Sequence, residues 1–272
     1  MLGQADLPAV LGLLNQNPVE NLFVASRVDS LGLDASRLGC RVWGYERDGR
    51  LVALCHAGAN LVPIGADEEA LAGFAVQLGE RRFTQSIMGE ASQVLRLHQL
   101  LVARCGNTWA RSRDIRAHQQ LLMIDRPPTG ARNRWVRPVV ASELDGYLTA
   151  AVRMYTEEVG VSPLDPSNSY LRYVSVLIAT GRAFGWLRDG KVAFKSDIGA
   201  AYRNACQVQG VWLDPALRGR GLAVPAMATA VDLCQRQYPI VSLYVNDYNT
   251  RALRTYADVG FRQVGEFATV LY

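Results

Sequence analysis

The sequence of 272 residues predicts an α/β protein built from two tandem domains, each with a mixed, twisted β-sheet flanked by helices. Two observations predict this fold class. Apolar runs of strand length alternate with longer segments of helical length in both halves of the chain. A hairpin pattern also occurs twice, and the second copy follows the first by 141 residues. The chain is long enough for two domains of ordinary size.

The two hairpins are the clearest internal repeat. Residues 43–52 read W-G-Y-E-R-D-G-R-L-V, and residues 184–193 read F-G-W-L-R-D-G-K-V-A. In each copy an Asp-Gly pair separates two apolar-rich runs, which is typical of a tight β-hairpin. Helix-compatible polar segments precede both copies, at residues 6–31 and 142–178. The repetition predicts two domains of the same architecture.

The boundary between the domains is predicted in the segment R-P-P-T-G-A-R-N-R, residues 126–134. Adjacent prolines and a glycine interrupt regular structure there. We therefore expect one domain over residues 1–125 and a second over residues 134–272. Within the first half, the patterns predict a helix over 67–79, a strand near 84–88, a helix over 91–105 and a strand over 118–124.

The segment most informative about function is residues 211–223, V-W-L-D-P-A-L-R-G-R-G-L-A. An apolar strand ends before Pro215, and a basic glycine loop leads into a helix predicted over residues 222–236. Glycines let the backbone approach a ligand closely, and the first amides of a helix have no intrahelical acceptor. The loop therefore predicts a pyrophosphate site. It lacks the lysine and hydroxyl residue of a P-loop and the three spaced glycines of a dinucleotide site.

A second motif follows a predicted strand at residues 241–245 and reads N-D-Y-N-T-R-A-L-R-T-Y-A-D-V-G-F. Asn249, Ala252 and Tyr256 are three and four residues apart, so they lie on one face of a helix. A short polar side chain such as that of Asn249 is favoured at a helix start. Gly260 suits the position just after a helix end.

Together the two motifs resemble those of the GNAT superfamily of N-acetyltransferases. Arg218, Gly221 and Ala223 match its acyl-CoA loop pattern [QR]-x-x-G-x-[GA], and the second motif matches N-x-x-A-x-x-x-Y-x-x-x-G-F. The resemblance covers residues 135–272 well, and the first half only through its hairpin and overall pattern. It implies two tandem GNAT-like domains, similar to an actinobacterial group of two-domain acetyltransferases. It also implies direct transfer of an acetyl group from acetyl-CoA to a primary amine of a small molecule, a peptide or a protein lysine.

The resemblance also implies roles for individual residues. The strand backbone before the loop would pair with the pantetheine arm of acetyl-CoA, and the loop amides would hold the pyrophosphate with added charge from two arginines. Asn249 would hydrogen-bond the acyl-CoA arm, and Tyr256 would protonate the departing thiolate. The implied acyl-CoA-binding residues are Val211, Trp212, Leu213, Arg218, Gly219, Arg220, Gly221, Leu222, Ala223 and Asn249.

The general base is the open point of this assignment. Gln207 and Gln209 occupy the central strand where the superfamily usually has an acidic residue, and an amide does not accept a proton usefully. Three alternatives are open: the adjacent Glu157 and Glu158, Asp197, and the C-terminal carboxylate of Tyr272, the last residue of a strand predicted over 263–272. We take Glu158 as the second catalytic residue beside Tyr256.

The first half of the chain has no such glycine loop. Its corresponding strand leads into Gly65 and Ala66, and then Asp67, Glu68 and Glu69 occupy the place where a pyrophosphate would dock. Acidic residues suit a helix N-terminus and repel CoA. The first domain is therefore expected to be a degenerate GNAT-like domain, catalytically silent, so that one acetyl-CoA binds per chain.

Composition limits the other function classes. The five cysteines are scattered without metal-ligand spacing, so we expect a reducing cytoplasm and no metal. No apolar run is long enough to cross a bilayer, and we expect neither a targeting segment nor membrane association. Arginine supplies nearly all the basic residues, a bias typical of a GC-rich bacterial genome. No basic run with interleaved aromatics predicts nucleic-acid binding.

Two alternatives to an N-acetyltransferase are kept. The first is a non-catalytic acyl-CoA sensor or scaffold, favoured by the missing strand carboxylate and opposed by Tyr256. The second is a transferase of longer acyl or aminoacyl groups on the same fold. The oligomeric state, the acceptor and the acyl-chain preference do not follow from the sequence.

Overall fold

A computed structural model describes every residue from Met1 to Tyr272. The chain forms two compact units. Unit 1 consists of Met1–Leu122, Tyr244–Asn249 and Gln263–Tyr272, and unit 2 consists of Met123–Leu243 and Thr250–Arg262. The first change of unit, after Leu122, lies close to the expected linker. The C-terminal residues, which we expected in the second domain, are instead part of unit 1.

The chain contains ten helices and eleven strands, apart from three short 3₁₀ turns. The helices are α1 (Leu7–Leu14), α2 (Leu22–Leu31), α3 (Ala35–Leu38), α4 (Glu68–Leu78), α5 (Ala91–Cys105), α6 (Asn107–Ala110), α7 (Leu144–Val159), α8 (Ser169–Ala179), α9 (Ala223–Gln235) and α10 (Thr250–Val259). The strands are β1 (Arg41–Arg47), β2 (Arg50–Ala57), β3 (Asn60–Ile64), β4 (Ser86–Glu90), β5 (Asp114–Ile124), β6 (Arg137–Pro138), β7 (Ala183–Arg188), β8 (Lys191–Tyr202), β9 (Ala205–Leu213), β10 (Ile240–Asn246) and β11 (Arg262–Leu271).

In unit 1 the strand order is β1-β2-β3-β4-β11-β5. Strands β1, β2 and β3 are antiparallel neighbours, whereas β3 and β4 run parallel and pair only at Asn60 with Ser86 and Leu61 with Ile87. The last strand of the chain, β11, pairs antiparallel with β4. Helices α4 and α5 cover the sheet through a buried cluster that includes Phe74.

In unit 2 the strand order is β10-β9-β8-β7-β6. Helices α7 and α8 bury Tyr147, Leu177 and Ile178 in a cluster with Trp212 of β9. Helix α9 is rich in alanine and buries most of one face, including Ala226 and Val231. Small side chains allow such a helix to lie close to a sheet.

The predicted hairpins are confirmed, and both turns have the same backbone. Asp48 and Gly49 have φ of 51° and 70°, and Asp189 and Gly190 have φ of 51° and 72°. Two consecutive residues at positive φ make the tight turn that suits the twist of a hairpin. Both halves then continue with a third strand, a helix, a parallel strand, a helix and a last strand.

These mixed sheets flanked by helices confirm the predicted fold class. The predicted strand near 84–88 is β4 at Ser86–Glu90, and the strand predicted from residue 118 already begins at Asp114. None of the helices combines the length and the apolar character needed to cross a bilayer.

Candidate functional site

The central feature of unit 2 is the separation of two parallel strands. Strands β9 and β10 pair only at their N-terminal ends, where Ala205, Cys206 and Gln207 face Ile240, Val241 and Ser242. Beyond Gln207, β9 has no partner on the β10 side, whereas its other edge remains paired with β8 as far as Leu213. One edge of residues 208–213 is therefore open to an extended ligand.

A β-bulge lies in the same stretch of β9. Lys195 faces Trp212 and Asp197 faces Gln209, so β9 carries one residue more than β8 between these pairs. Gly210 has φ of +60°, a conformation that favours glycine. A Cβ at this position would lie 2.8 Å from both Asp197 Oδ2 and Lys195 Nζ. Only glycine therefore fits the bulge without displacing these side chains.

Lys195 and Asp197 form a buried network with Tyr147. Lys195 Nζ donates to Asp197 Oδ2 at 2.6 Å and to the Gly210 carbonyl at 2.9 Å, and Tyr147 OH donates to Asp197 Oδ1 at 2.6 Å. Lys195 is completely buried and Asp197 nearly so. Burial and the Asp197 charge raise the pKa of Tyr147 well above its usual range. The network holds the bulge carbonyl, and it leaves Asp197 engaged as an acceptor on both oxygens.

The glycine loop joins β9 to α9, as predicted. Gly219 and Gly221 have φ of +77° and +71°, and the space around each is open. Helix α9 has Leu222 at its N-cap, and no side chain caps it. None of the backbone N–H groups of residues 219–224 donates a hydrogen bond to an acceptor within the chain. The loop therefore presents a run of unpaired donors at the positive end of a helix, which is the chemistry of a phosphate site.

The two loop arginines differ in their surroundings. Arg218 Nη2 forms an ion pair with Glu157 Oε2 at 2.7 Å, and its Nε donates to the Leu213 carbonyl at 3.0 Å. Trp212 Nε1 also donates to Glu157, at 3.3 Å. Arg220 is exposed and has no partner within the chain. Glu157 is therefore occupied in holding the loop, and Arg220 carries the free positive charge.

Tyr256 lies on α10 and is 7% exposed. Its ring packs edge-on against Phe261 at a centroid distance of 5.7 Å. Its hydroxyl makes no hydrogen bond within the chain and is not fully enclosed. Burial, together with the negative charge of Glu158, raises the pKa of Tyr256 above its usual range. The phenol therefore keeps its proton at neutral pH, and Glu158 is close enough to act on it electrostatically.

The remaining motif residues have the predicted local structure. Asn249 immediately precedes α10, and its N–H donates to the Asn246 carbonyl at 3.0 Å. Gly260 follows the helix at φ of +108° and donates to the Tyr256 carbonyl at 3.1 Å. Gly260 therefore ends α10, as expected for the residue after a helix.

Two family models match the sequence. One is described as a domain of unknown function, DUF4081, and matches residues 40–147. The other is described as the acetyltransferase (GNAT) family and matches residues 155–261, which include β9, the glycine loop and Tyr256. Residues 155–261 belong to the GNAT family. No curated protein sequence matches the chain.

Solved structures of the GNAT fold are similar to nearly the whole chain. A GCN5-related N-acetyltransferase from Sphaerobacter thermophilus has a TM-score of 0.63 at 15% identity, over 99% of this chain and 93% of its own. A GNAT-family acetyltransferase from Colwellia psychrerythraea has a TM-score of 0.56 at 13% identity, over 96% of this chain and 97% of its own. A tandem GNAT protein from the clavulanic acid biosynthesis pathway has a TM-score of 0.55 at 12% identity, over 98% of this chain and 96% of its own. These likenesses confirm the tandem GNAT fold.

Unit 1 has the same GNAT-like strand separation but a different loop. Asp67 caps α4 by accepting from the Ala70 N–H at 3.0 Å, and the Ala66 N–H donates to Gln93 Oε1 at 2.8 Å. Asp67 and Glu69 pair with Arg47, and Glu68 pairs with Arg96. The Ala66 and Ala70 N–H groups are thus satisfied by side chains, and the three acidic residues at this helix start are held in ion pairs.

The structure argues against two of the three alternatives for the general base. Asp197 is buried in its ion pair, so it is not available as a free base. Tyr272 lies in unit 1, where its ring packs against Trp109 and beneath the Arg82 guanidinium. This placement contradicts our expectation that its carboxylate ends the second domain. Glu158 is exposed at the end of α7 and is the alternative near Tyr256.

Sequence reasoning missed the network around Lys195. A signal was present, because the chain has only two lysines and Lys195 stands in the apolar run V-A-F-K-S-D-I. A lysine in such a strand is buried only when it is paired. The alternating pattern of β8 therefore pointed to a partner two residues away, Asp197.

Proposed function

We propose that the protein is an acyl-CoA-dependent N-acetyltransferase that moves an acetyl group from acetyl-CoA to a primary amine of a small molecule, a peptide or a protein lysine. The observation that carries this proposal is the uncapped N-terminus of α9, with its run of unpaired amides, directly after the open edge of β9. An acyl-CoA has the matching chemistry, since a diphosphate accepts hydrogen bonds and an amide-bearing arm pairs with a strand edge.

Each part of the site has a role in this proposal. The backbone of Val211, Trp212 and Leu213 pairs with the pantetheine amides at the open edge of β9. The amides of Gly219, Gly221, Leu222 and Ala223 hold the diphosphate, to which Arg220 adds charge. Arg218 contributes by fixing the loop to the strand end. Asn249 hydrogen-bonds the acyl-CoA arm from the start of α10.

The chemical step needs one proton donor and one proton acceptor. The amine nitrogen forms a bond to the acetyl carbonyl carbon, and the bond from that carbon to the CoA sulfur breaks. Glu158 accepts the proton that the amine loses, and Tyr256 donates its proton to the departing sulfur. The raised pKa of Tyr256 keeps the hydroxyl protonated until the thiolate forms. The five free cysteines fit the reducing bacterial cytoplasm that we propose as its location.

A second candidate function is an acyl-CoA sensor that binds acetyl-CoA without transferring its acyl group. Gln207 and Gln209 leave β9 without a free carboxylate, and Asp197 is sequestered by Lys195. These observations favour the sensor only if Glu158 does not act as the base. Glu158→Gln separates the two functions, because it removes the proton acceptor while preserving the shape of the side chain.

Calorimetry of the full-length protein with acetyl-CoA tests the proposal. We expect one binding site per chain, because unit 1 has a capped and acidic helix start. Absence of binding would overturn the proposal, and two sites would overturn the assignment of unit 1 as silent. Release of free thiol with a panel of primary amines then distinguishes the enzyme from the sensor. In the enzyme, Glu158→Gln lowers the transfer rate and leaves acetyl-CoA affinity unchanged.

A further inference from the structure

Unit 1 contains a polar cavity with a volume of about 60 Å³. It lies where α1 ends, where β3 ends and where α5 begins. Six of its eight lining residues are polar or glycine: Gln16, Asn17, Glu20, Asn21, Gly65 and Gln93. One water molecule needs about 10–15 Å³ of such space, so the cavity has room for a small polar group of several heavy atoms.

The position of this cavity in the fold is informative. Strand β3 follows the first hairpin as β9 follows the second, and each separates from its parallel neighbour after two or three residue pairs. The end of α7 carries Glu157 and Glu158, and the end of α1 is followed by Glu20. The cavity therefore occupies, in unit 1, the place that corresponds to the proposed reaction centre of unit 2.

The cavity contains a negative charge without a counter-charge. Glu20 is half-buried, and its carboxylate makes no ion pair and no hydrogen bond within the chain. Burial and the nearby Glu90 carboxylate both raise the pKa of Glu20. Glu90 accepts from the Ser92 and Gln93 N–H groups at the start of α5, so it is held in place. A nearby cation stabilises the charged form of a half-buried carboxylate that lies near a second carboxylate.

Asn21 supplies a second acceptor. It is 5% exposed, and its Nδ2 donates to the Leu14 carbonyl at 3.2 Å. This hydrogen bond determines which way the amide faces. Its Oδ1 has no donor within the chain and is open to the cavity. This oxygen is therefore free to accept a hydrogen bond from a ligand in the cavity.

We infer that this cavity binds a protonated primary amine group, with the Glu20 carboxylate and Asn21 Oδ1 accepting its hydrogen bonds. An ammonium group supplies both the positive charge and the N–H donors that these residues lack. An anion is disfavoured by Glu20 and Glu90. A divalent metal ion is disfavoured because Glu20 is the only carboxylate that lines the cavity. The site is separate from the proposed acyl-CoA site and does not depend on it.

Titration of the full-length protein with methylammonium chloride, followed by ¹⁵N chemical shifts, tests this inference. Sodium chloride and tetramethylammonium chloride at equal ionic strength are the control salts, since neither cation donates a hydrogen bond. The amides of Gly65 and Gln93 report on the cavity, and those of Gly219 and Gly221 report on unit 2. We expect saturable shifts at Gly65 and Gln93 with methylammonium alone.

Glu20→Gln keeps the shape of the side chain and removes its charge, so the variant is expected to fold. It should weaken methylammonium binding by about tenfold or more, as expected for a charge-assisted hydrogen bond. The matched control is Glu46→Gln, which removes an exposed carboxylate of β1 and should bind as the wild type does. Equal binding by wild type and Glu20→Gln, equal shifts with sodium chloride, or shifts confined to Gly219 and Gly221 would each overturn the inference.

Discussion

Arg218 Nη2 lies 2.7 Å from Glu157 Oε2, and this ion pair distinguishes the two arginines of the glycine loop. The same guanidinium donates through Nε to the Leu213 carbonyl. Arg218 therefore joins the end of β9, the loop and the end of α7. Arg220 has no such partner, although the sequence pattern treats both residues as sources of positive charge.

Arg220→Gln should weaken acetyl-CoA binding by about tenfold, because a free guanidinium forms charge-assisted hydrogen bonds with a phosphate. The salt dependence of binding should also become less steep. Calorimetry at two ionic strengths measures both effects. The control is Arg236→Gln, which removes an exposed arginine at the end of α9. Equal affinities for the Arg220 variant and the wild type would show that the free charge does not contact the ligand.

Gly221→Val should abolish acetyl-CoA binding. The added side chain projects into the open space above the loop, where we place the diphosphate. Part of any loss comes from the positive φ of Gly221, which a valine tolerates poorly. Gly181→Val is the matched control, because Gly181 has φ of +68° and also has open space around it, in the turn between α8 and β7. If both variants bind alike in calorimetry, the loop is not the binding site.

Tyr256→Phe should lower the rate of acetyl transfer and leave acetyl-CoA affinity unchanged. The ring still packs against Phe261, and only the hydroxyl is lost. Positioned acid catalysis contributes about 10²–10⁴-fold to a rate. We expect the lower part of this range, since a thiolate leaves readily. Single-turnover kinetics measures the effect, with Tyr238→Phe as a control that removes a phenol hydroxyl elsewhere in unit 2. A wild-type rate in Tyr256→Phe would make Tyr256 a packing residue only.

Asp197→Asn should lower the free energy of unfolding by about 3–5 kcal/mol, because it leaves the buried Lys195 ammonium without its counter-charge. The double variant Lys195→Met/Asp197→Asn removes both charges. It should be more stable than Asp197→Asn alone. Urea denaturation of the wild type, Asp197→Asn, Lys195→Met and the double variant completes the cycle. Additive losses would indicate that the two residues do not stabilise each other.

Glu20→Gln should stabilise the protein at neutral pH when no amine is present. The native pKa of Glu20 is raised above its unfolded value. Between these two pH values the native state therefore binds more protons than the unfolded state does. Stability is therefore lost across this window, and the cost is complete above the native pKa. The difference from the wild type should disappear below about pH 3, where the carboxyl is protonated in both states. Thermal unfolding of both proteins from acidic to neutral pH measures this stability difference. Glu46→Gln should show no comparable trend.

The sequence by itself determined the features that depend on local chain geometry. The Asp-Gly pairs require a tight turn, so both hairpins follow from short segments. The spacing of Asn249, Ala252 and Tyr256 defines one helical face, and Gly260 ends that helix. The strand, glycine loop and helix from Val211 onward were also predictable, because unpaired amides at a helix start follow from the position of Leu222, which cannot cap it.

The tertiary structure decided what depends on residues distant in sequence. Pairing of β11 with β4 places Tyr272 in unit 1, and no local pattern specifies which strand a C-terminal segment joins. Asp197 proved to be buried because Tyr147, fifty residues earlier, and the bulge at Gly210 enclose it together with Lys195. The cavity at Glu20 likewise requires α1, β3 and α5 to meet. The electrostatic environment and the accessibility of a charged group follow from this packing, because they depend on every neighbour that replaces water around the charge.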